Sequence, residues 1–226
     1  MNNCFVSVLI LNFNNAKFLN RSIKSCLNQS YKNFEILVYD DKSTDESISI
    51  LRKFKNKKIK IFLNKSNKRK IAALDAKNGY YNLIKLSKGK IIFLLDSDDY
   101  FKNDKIEKII NFFHNNKNID ITFDYPIIKK KNNEKFIKKE NSLFNTYWGY
   151  IHPTSCIAIR RTLIDKLFSK VINDNYTNIW LDLRILLFSK YFNSYNVLNE
   201  NLTYYRQFDG NVSSKFKKFG KAWWLR

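Results

Sequence analysis

The residues in this chain best suited to chemistry are acidic and come in two groups, Asp96-Ser97-Asp98-Asp99 and Asp40-Asp41. A carboxylate costs free energy to bury, so several at the end of an apolar run require a partner. Two carboxylates one residue apart can flank a hard cation such as Mg²⁺ or Mn²⁺. Mg²⁺ sites commonly use one or two protein carboxylates and complete the shell with substrate phosphates. Such a cation suits a leaving group whose developing charge must be neutralised. The plain alternative for Asp98, Asp99 and Asp104 is to cap a helix beginning near Lys105. For Asp40-Asp41-Lys42-Ser43 it is a strand-to-helix turn capped by Ser43. The functional alternative there is a carboxylate accepting a hydrogen bond from the N–H of a uracil-like base.

Position decides between these alternatives. Val6 to Leu11 is an apolar, β-branched run of strand length, followed by turn residues Asn12, Asn14 and Asn15. Ala16 to Gln29 carries Phe18, Leu19, Ile23, Cys26 and Leu27 at helical spacing. Phe34 to Tyr39 reads as a strand ending in Asp40-Asp41. Ser43 and Asp45 precede a helix through Ile48, Leu51 and Phe54, and Lys58 to Leu63 reads as a third strand. A helix over Ala72 to Leu86, closed by Gly89, leads to Ile91-Ile92-Phe93-Leu94-Leu95. That strand is wholly apolar, as expected for burial on both faces, and it runs straight into Asp96. Another helix covers Lys105 to Phe113. Strands alternating with helices predict parallel β-α-β units, and open parallel sheets bind ligands beyond the carboxyl ends of their strands. Both acidic groups are therefore expected on one edge of one sheet. Beyond residue 120 the pattern loosens. Ile119 to Tyr125 reads as a strand, Lys129 to Lys139 as a solvated loop or hairpin, and Arg161 to Phe168 and Ile179 to Tyr191 as helices.

The chain has 226 residues, 44% of them hydrophobic and 27% charged, which suits one globular domain. The formal net charge of +21 admits nucleic acid, an anionic membrane or an anionic substrate as partner. Lys, Asn and Ile are abundant and Gly and Pro scarce, so compositional bias accounts for part of the charge. Three widely spaced cysteines, Cys4, Cys26 and Cys156, give neither a disulfide framework nor a zinc site and fit a reducing cytosol. No run approaches the roughly 18–20 apolar residues that span a bilayer, and the N-terminal apolar run lacks a signal-peptide layout.

Four segments in order carry a resemblance: residues 6–14 (VSVLILNFN), 25–31 (SCLNQSY), 34–45 (FEILVYDDKSTD) and 89–99 (GKIIFLLDSDD). Together they resemble the successive motifs of the family 2 glycosyltransferases over about residues 5–115. The resemblance implies the GT-A fold, an α/β architecture with a Rossmann-like, mostly parallel central sheet flanked by helices and a smaller acceptor-side C-terminal part. Residues 1–115 would form the nucleotide-sugar half. Residues 116–226 would form the acceptor side and a basic, aromatic tail within the same domain. It implies nucleoside contacts by Asn12 and Phe13, uracil binding by Asp41, a ribose role for Asp96 and a metal role for Asp98, with Asp96 beside it and Asp99 in reserve. The cofactor would be a divalent metal, Mn²⁺ or Mg²⁺. Inversion needs a general base opposite the leaving nucleotide, and Trp180-Leu181-Asp182 resembles the family's late acidic site, making Asp182 the candidate base.

Three departures stand out. Leu11 replaces a frequent Pro, Leu181 replaces the usual Glu, and Phe208 in Tyr205-Arg206-Gln207-Phe208 replaces a His that can complete the metal shell; His152, Asp209 or water are the candidates to stand in for it. Ten basic and no acidic residues lie between Arg52 and Lys70, and Lys70 is the expected diphosphate contact. Trp148 and His152 are the candidate acceptor-site residues, with a core aromatic cluster as the alternative. The tail from Lys215 to Arg226 suits an anionic membrane interface. The expected activity is sugar transfer from a UDP-sugar to a glycan or lipid-linked acceptor in cell-surface polysaccharide synthesis, in the cytoplasm or at the inner membrane face, without nucleic acid. The competing readings are a basic nucleic-acid-binding module and a nucleotidyltransferase. The first leaves the acids unexplained, and the second would need a glycine-rich phosphate loop that five glycines in the whole chain do not supply.

Overall fold

The computed structural model describes residues 4–64, 71–138, 152–174, 176–177, 179–192 and 194–208. Lys70, Trp148, Asp209 and the Lys215–Arg226 tail lie outside the described residues.

The chain builds β1 (Val6–Asn12), α1 (Ala16–Leu27), β2 (Phe34–Asp40), α2 (Ser47–Lys53), β3 (Ile59–Leu63), α3 (Ala72–Leu86), β4 (Ile91–Asp96) and the two-residue β5 (Tyr100–Phe101). There follow α4 (Lys105–Asn115), β6 (Ile121–Lys130), β7 (Asn133–Phe136), a 3-10 turn at Thr154–Cys156, β8 (Ile157–Arg160), α5 (Arg161–Val171), α6 (Leu181–Phe192) and β9 (Tyr195–Arg206). They form one nine-stranded sheet in the order β3-β2-β1-β4-β8-β6-β9-β5, with β7 paired to β6. The first four strands of that order are parallel. Beyond β4 the sheet becomes mixed: β8 is antiparallel to both β4 and β6, and β9 runs parallel to β6.

The apolar strands β1, β2 and β4 are buried on both faces because helices cover both. Val6, Val8 and Ile10 point into a core shared with Leu19, Ile23 and Cys26 of α1 and Ile106, Ile109 and Phe113 of α4. Leu9 points the other way, into a core with Tyr80, Leu83 and Ile84 of α3, Leu163 and Leu167 of α5, and Leu181 and Ile185 of α6. The period-2 alternation of a strand thus feeds two layers.

The register levels the strand ends that matter. Asn12 of β1 lies opposite Asp40 of β2, and Leu11 opposite Asp96 of β4. The two acidic groups expected on one sheet edge are on that edge.

Local departures from the sequence expectations have physical causes. Ser43 does not cap α2; its hydroxyl and N–H fold back onto Asp40. Asp45 serves two helix starts, its carboxylate accepting the Ala16 N–H of α1 at 2.9 Å and the Ser47 N–H of α2 at 2.9 Å. Gly89 does not close α3, which ends at Leu86. A Cβ on Gly89 would sit 2.3 Å from the Ser7 backbone nitrogen, so glycine is required there for close approach to β1. The lysine-rich 129–139 stretch forms a hairpin in its described part: β6 turns at Lys131, φ 52°, into β7. Strands β5, β8 and β9 have no counterpart in the sequence reading. Pro126 sits within β6 where the ladder to β9 shifts register, a position at which its missing N–H costs nothing.

Candidate active site

The acidic turn leaves β4 with Asp96 as its last residue, and the Asp99 N–H closes the turn on the Asp96 carbonyl at 3.0 Å. Ser97 is held against β1 and α1: its N–H donates to the Leu11 carbonyl at 3.1 Å, and its hydroxyl accepts from Asn15 at 3.0 Å. The three carboxylates then fare differently. Asp99 is buried with both oxygens engaged, Oδ2 by the Ser155 hydroxyl at 2.6 Å and Oδ1 by the Arg206 N–H at 2.8 Å. Asp96 is half-buried, and its Oδ1 accepts from the Tyr80 hydroxyl at 2.8 Å. Asp98 is half-buried as well, and no hydrogen bond from another described residue reaches its carboxylate.

Burial, then the Asp98 charge, pushes the Asp96 carboxyl up to about 7, against the pull of the Tyr80 hydrogen bond; Asp182 adds to the push. Burial also raises Asp98, which the Arg206 guanidinium partly offsets. Asp99 lies well above the carboxylate range through burial and the charges of Asp98 and Asp96. Three carboxylates crowded in one turn are an unfavourable arrangement that a cation would relieve. Among the described residues no group of three or more His, Cys, Asp or Glu side chains is arranged to hold a metal by itself. The donor set of Asp96 and Asp98 fits a hard cation completed by substrate phosphates and water. It does not fit a closed protein cage.

Opposite this turn, the end of β2 divides its labour in the same way. Asp40 is buried and fully occupied by the Ser43 N–H and hydroxyl, both at 2.8 Å, and by the Asn12 amide at 2.6 Å. Lys42 adopts φ 57° to let the turn close. Asp41 follows, with Oδ1 accepting from the Asn64 amide at 2.8 Å beyond the end of β3. Asn12, expected to touch a nucleoside, is 0% exposed; its amide is spent on Asp40 and Ser43, while its Oδ1 finds no hydrogen-bond partner among the described residues. It builds the turn that carries Asp41. Phe13 next to it is half-buried.

Asp182 stands in the first turn of α6, with Oδ1 on the Leu183 N–H at 2.8 Å. Its charge adds to the upward push on the Asp96 carboxyl. Leu181, at the position where the resemblance expects Glu, is packed in the core beneath the sheet. The approach to α6 is pinned by the Lys77 ammonium, buried on the Val171, Ile172 and Asp174 carbonyls, and by Arg184, which bonds Asp174 Oδ2 at 2.7 Å.

His152 is buried between the rings of Phe123 and Tyr125, each centroid 5.1 Å away, with Nδ1 on the Asp124 carbonyl at 2.8 Å. Burial brings its pKa down to about 4, so the ring is neutral at ordinary pH. Phe208 packs on Phe18 of α1, centroids 4.9 Å apart. Its neighbour Arg206 does the polar work at this corner: Nε donates to the Asp98 carbonyl at 2.8 Å and the guanidinium lies 4.3 Å from the Phe18 ring.

Sequence reasoning overlooked Ser155, Tyr80 and Arg206 as parts of the site. Arg206 carried a signal, since it belongs to the motif whose last residue, Phe208, drew attention for being wrong. Tyr80 and Ser155 are brought to the acids by packing alone.

The chain matches the profile of "Glycosyl transferase family 2" over residues 7–168. It is 39% identical over 118 residues to an uncharacterized glycosyltransferase of Haemophilus influenzae, covering 51% of this chain and 45% of that one. It is 30% identical over 228 residues to the Escherichia coli UDP-Glc:alpha-D-GlcNAc-diphosphoundecaprenol beta-1,3-glucosyltransferase WfaP, covering 94% of this chain and 82% of that one. Staphylococcus aureus TarS 1–349, solved in complex with UDP-GlcNAc, shares the fold with a TM-score of 0.70 at 20% identity, covering 94% of this chain and 61% of TarS. The chain thus spans less than half the length of the Haemophilus relative and under two thirds of the TarS fragment.

Proposed function

Because the chain belongs to glycosyl transferase family 2, we propose that it transfers a sugar from a UDP-sugar to a lipid-linked acceptor in cell-surface polysaccharide synthesis. The observation that carries the proposal is that Asp41, Asp96 and Asp98 stand at the carboxyl ends of β2 and β4, levelled by their register with β1. The acceptor class is taken from the E. coli relative, whose name specifies a sugar on diphosphoundecaprenol.

In this reading Asp41 accepts the N–H of the uracil. Phe13 lies along the nucleoside, and Asp96 reaches the ribose from the floor of the site. Lys70 supplies positive charge to the diphosphate. Asp96 and Asp98 would hold a divalent cation, Mn²⁺ or Mg²⁺, which neutralises the diphosphate as it departs. Asp182 takes the proton of the acceptor hydroxyl. The acceptor oxygen forms its bond to the anomeric carbon as the bond from that carbon to the diphosphate oxygen breaks, UDP carrying the electron pair away. Attack opposite the leaving group inverts the anomeric centre. The acceptor would lie on the side of Trp148 and His152.

Among the described residues no helix is long and apolar enough to cross a membrane. The net charge of +21 supports peripheral work on the anionic inner face of the membrane, where a lipid-linked acceptor resides, with the basic aromatic tail as a contact. The test is UDP release from UDP-glucose and other UDP- and GDP-sugars with Mn²⁺, repeated with Asp98→Ala. Undiminished release by the variant would remove Asp98 from the metal role. The anomeric configuration of the product, read by NMR, decides inversion.

A further inference from the structure

The acidic turn is held from behind by the side chain of Ser155. Ser155 lies in the 3-10 turn Thr154–Cys156 just before β8 and is 0% exposed. Its hydroxyl donates to Asp99 Oδ2 at 2.6 Å and accepts the main-chain N–H of Asp96 at 3.0 Å. One hydroxyl therefore fixes the first and last residues of the turn that presents Asp98. The Ser155 carbonyl is fixed in its turn by the Lys105 ammonium at 2.8 Å, with the Thr203 hydroxyl, whose proton goes to Asp124, 3.2 Å away. Both of those groups bond Asp124, a carboxylate 0% exposed. The chain runs without a break from β6 and β9 to the acidic turn.

We propose that Ser155 is a positioning residue for the reaction. It fixes the turn in which Asp96 and Asp98 would hold a cation, and Asp99 is the strut through which it acts. Asp99 is thereby withdrawn from the metal and from the donor, since both its oxygens are taken by the protein. The inference rests on the glycosyl-transfer reading for its catalytic consequence, but the lock itself is a property of the fold. Removing the hydroxyl leaves a buried N–H and a buried carboxylate oxygen each one partner short, and no other described donor stands in for it at Asp99 Oδ2.

The test compares wild type, Ser155→Ala and Ser155→Thr, with Asp99→Asn as the second variant if Ser155→Ala does not fold. Two measurements are made. Amide hydrogen exchange over residues 94–101 reads the lock without any substrate. The Mn²⁺ concentration for half-maximal UDP release, with kcat and KM for UDP-glucose, reads its consequence. The expected result for Ser155→Ala is faster exchange confined to 94–101, with strands β1 to β3 unchanged. Its Mn²⁺ midpoint should rise and kcat fall by about tenfold, the worth of one hydrogen bond to a charged group, and Ser155→Thr should restore both. Asp99→Asn presents an amide where Ser155 needs an acceptor and should reproduce the Ala phenotype. Unchanged exchange over 94–101, or faster exchange with an unmoved Mn²⁺ midpoint, overturns the proposal. A wild type without Mn²⁺-dependent UDP release would defeat the glycosyl-transfer reading instead, and the exchange result would still decide the lock.

Discussion

Replacing Lys105 with Met should destabilise the protein by about 3–4 kcal/mol at pH 7, and the size of that loss can be bounded from the structure. Lys105 is 0% exposed, and its ammonium donates to Asp124 Oδ1 at 2.6 Å, Thr203 Oγ1 at 2.5 Å and the Ser155 carbonyl at 2.8 Å. Met fills similar volume but donates nothing. Asp124 keeps two donors, the Leu202 N–H at 3.1 Å and the Thr203 hydroxyl at 2.8 Å, yet loses its countercharge. Breaking a buried pair from one side costs about 3–5 kcal/mol. The carboxylate has one escape, which is to take up a proton. From an unfolded pKa near 3.9, protonation at pH 7 costs about 1.36 × 3.1, or roughly 4 kcal/mol, so the charge penalty cannot exceed that. The same ceiling falls to about 1.5 kcal/mol at pH 5. The sign follows: in the variant the folded state binds a proton that the unfolded state does not, so stability relative to wild type is lost as pH rises above about 4. Burial already holds the Asp124 carboxyl above its ordinary value with Lys105 in place, so the shift in the variant extends one already present. Urea unfolding of both proteins at pH 7 and pH 5 gives the difference, with unrelated titrations cancelling between them. A loss under about 1 kcal/mol at pH 7, or a loss that does not shrink on acidification, would refute the assignment of a buried ion pair at the hub of the fold.

Three further outcomes are expected. Asp182→Asn should lower kcat by about 10²–10⁴, the usual worth of a positioned base, while leaving UDP affinity by calorimetry at the wild-type level. Asp41→Ala should raise KM for a UDP-sugar by about tenfold with kcat little changed, as the loss of a contact made equally in ground and transition states. The neutral His152 ring contributes stability that is complete above about pH 6.5. It is lost as pH falls to about 4, because the unfolded imidazole binds its proton first. The full loss is about 3 kcal/mol, and His152→Gln should flatten that limb of a stability–pH curve measured by urea unfolding.

The half of the fold that carries the donor side was legible because each of its elements advertises itself locally. The strands β1, β2 and β4 are apolar throughout, α3 runs over Ala72–Leu86 as its spacing predicts, and each strand ends in polar turn residues. The acidic edge followed from that alternation alone. The second half resists because its strands are mixed in composition. Strand β9 carries Asn196, Asn199, Glu200, Asn201 and Thr203, and most of its residues are only half-buried. Strand β8 is four residues between a 3-10 turn and a helix, too short to show a period. Lys105 illustrates the deeper obstacle. A lone lysine at a helix start reads as a surface residue, and its partners Asp124, Ser155 and Thr203 lie 19, 50 and 98 positions away. Nothing in the local sequence announces that a buried cation sits there.

The same distinction accounts for how the two acidic groups are built. Each joins an acid that the fold consumes to one that it presents. At the end of β2, Asp40 takes three hydrogen bonds from its own turn and from Asn12, and the next residue, Asp41, stands at the sheet edge beside Asn64. In the turn after β4 the order is reversed, for Asp99 is the consumed residue and Asp98 the presented one. A carboxylate held this way gains its geometry from the neighbour's hydrogen bonds. Asp98 accepts no such bond from another described residue, while Asp41 accepts the Asn64 amide on Oδ1. Burial, with the Asp98 charge beside it, raises the pKa of Asp96 to about 7, a cost that a bound cation would return as affinity. Removing the consumed acids should therefore disturb folding and ligand binding together, while removing the presented ones should abolish function and leave the empty protein as stable as before or more so. The pair Asp99→Asn and Asp98→Asn, compared for thermal midpoint and for Mn²⁺-dependent turnover, separates the two kinds: the first should lower both, and the second only the turnover.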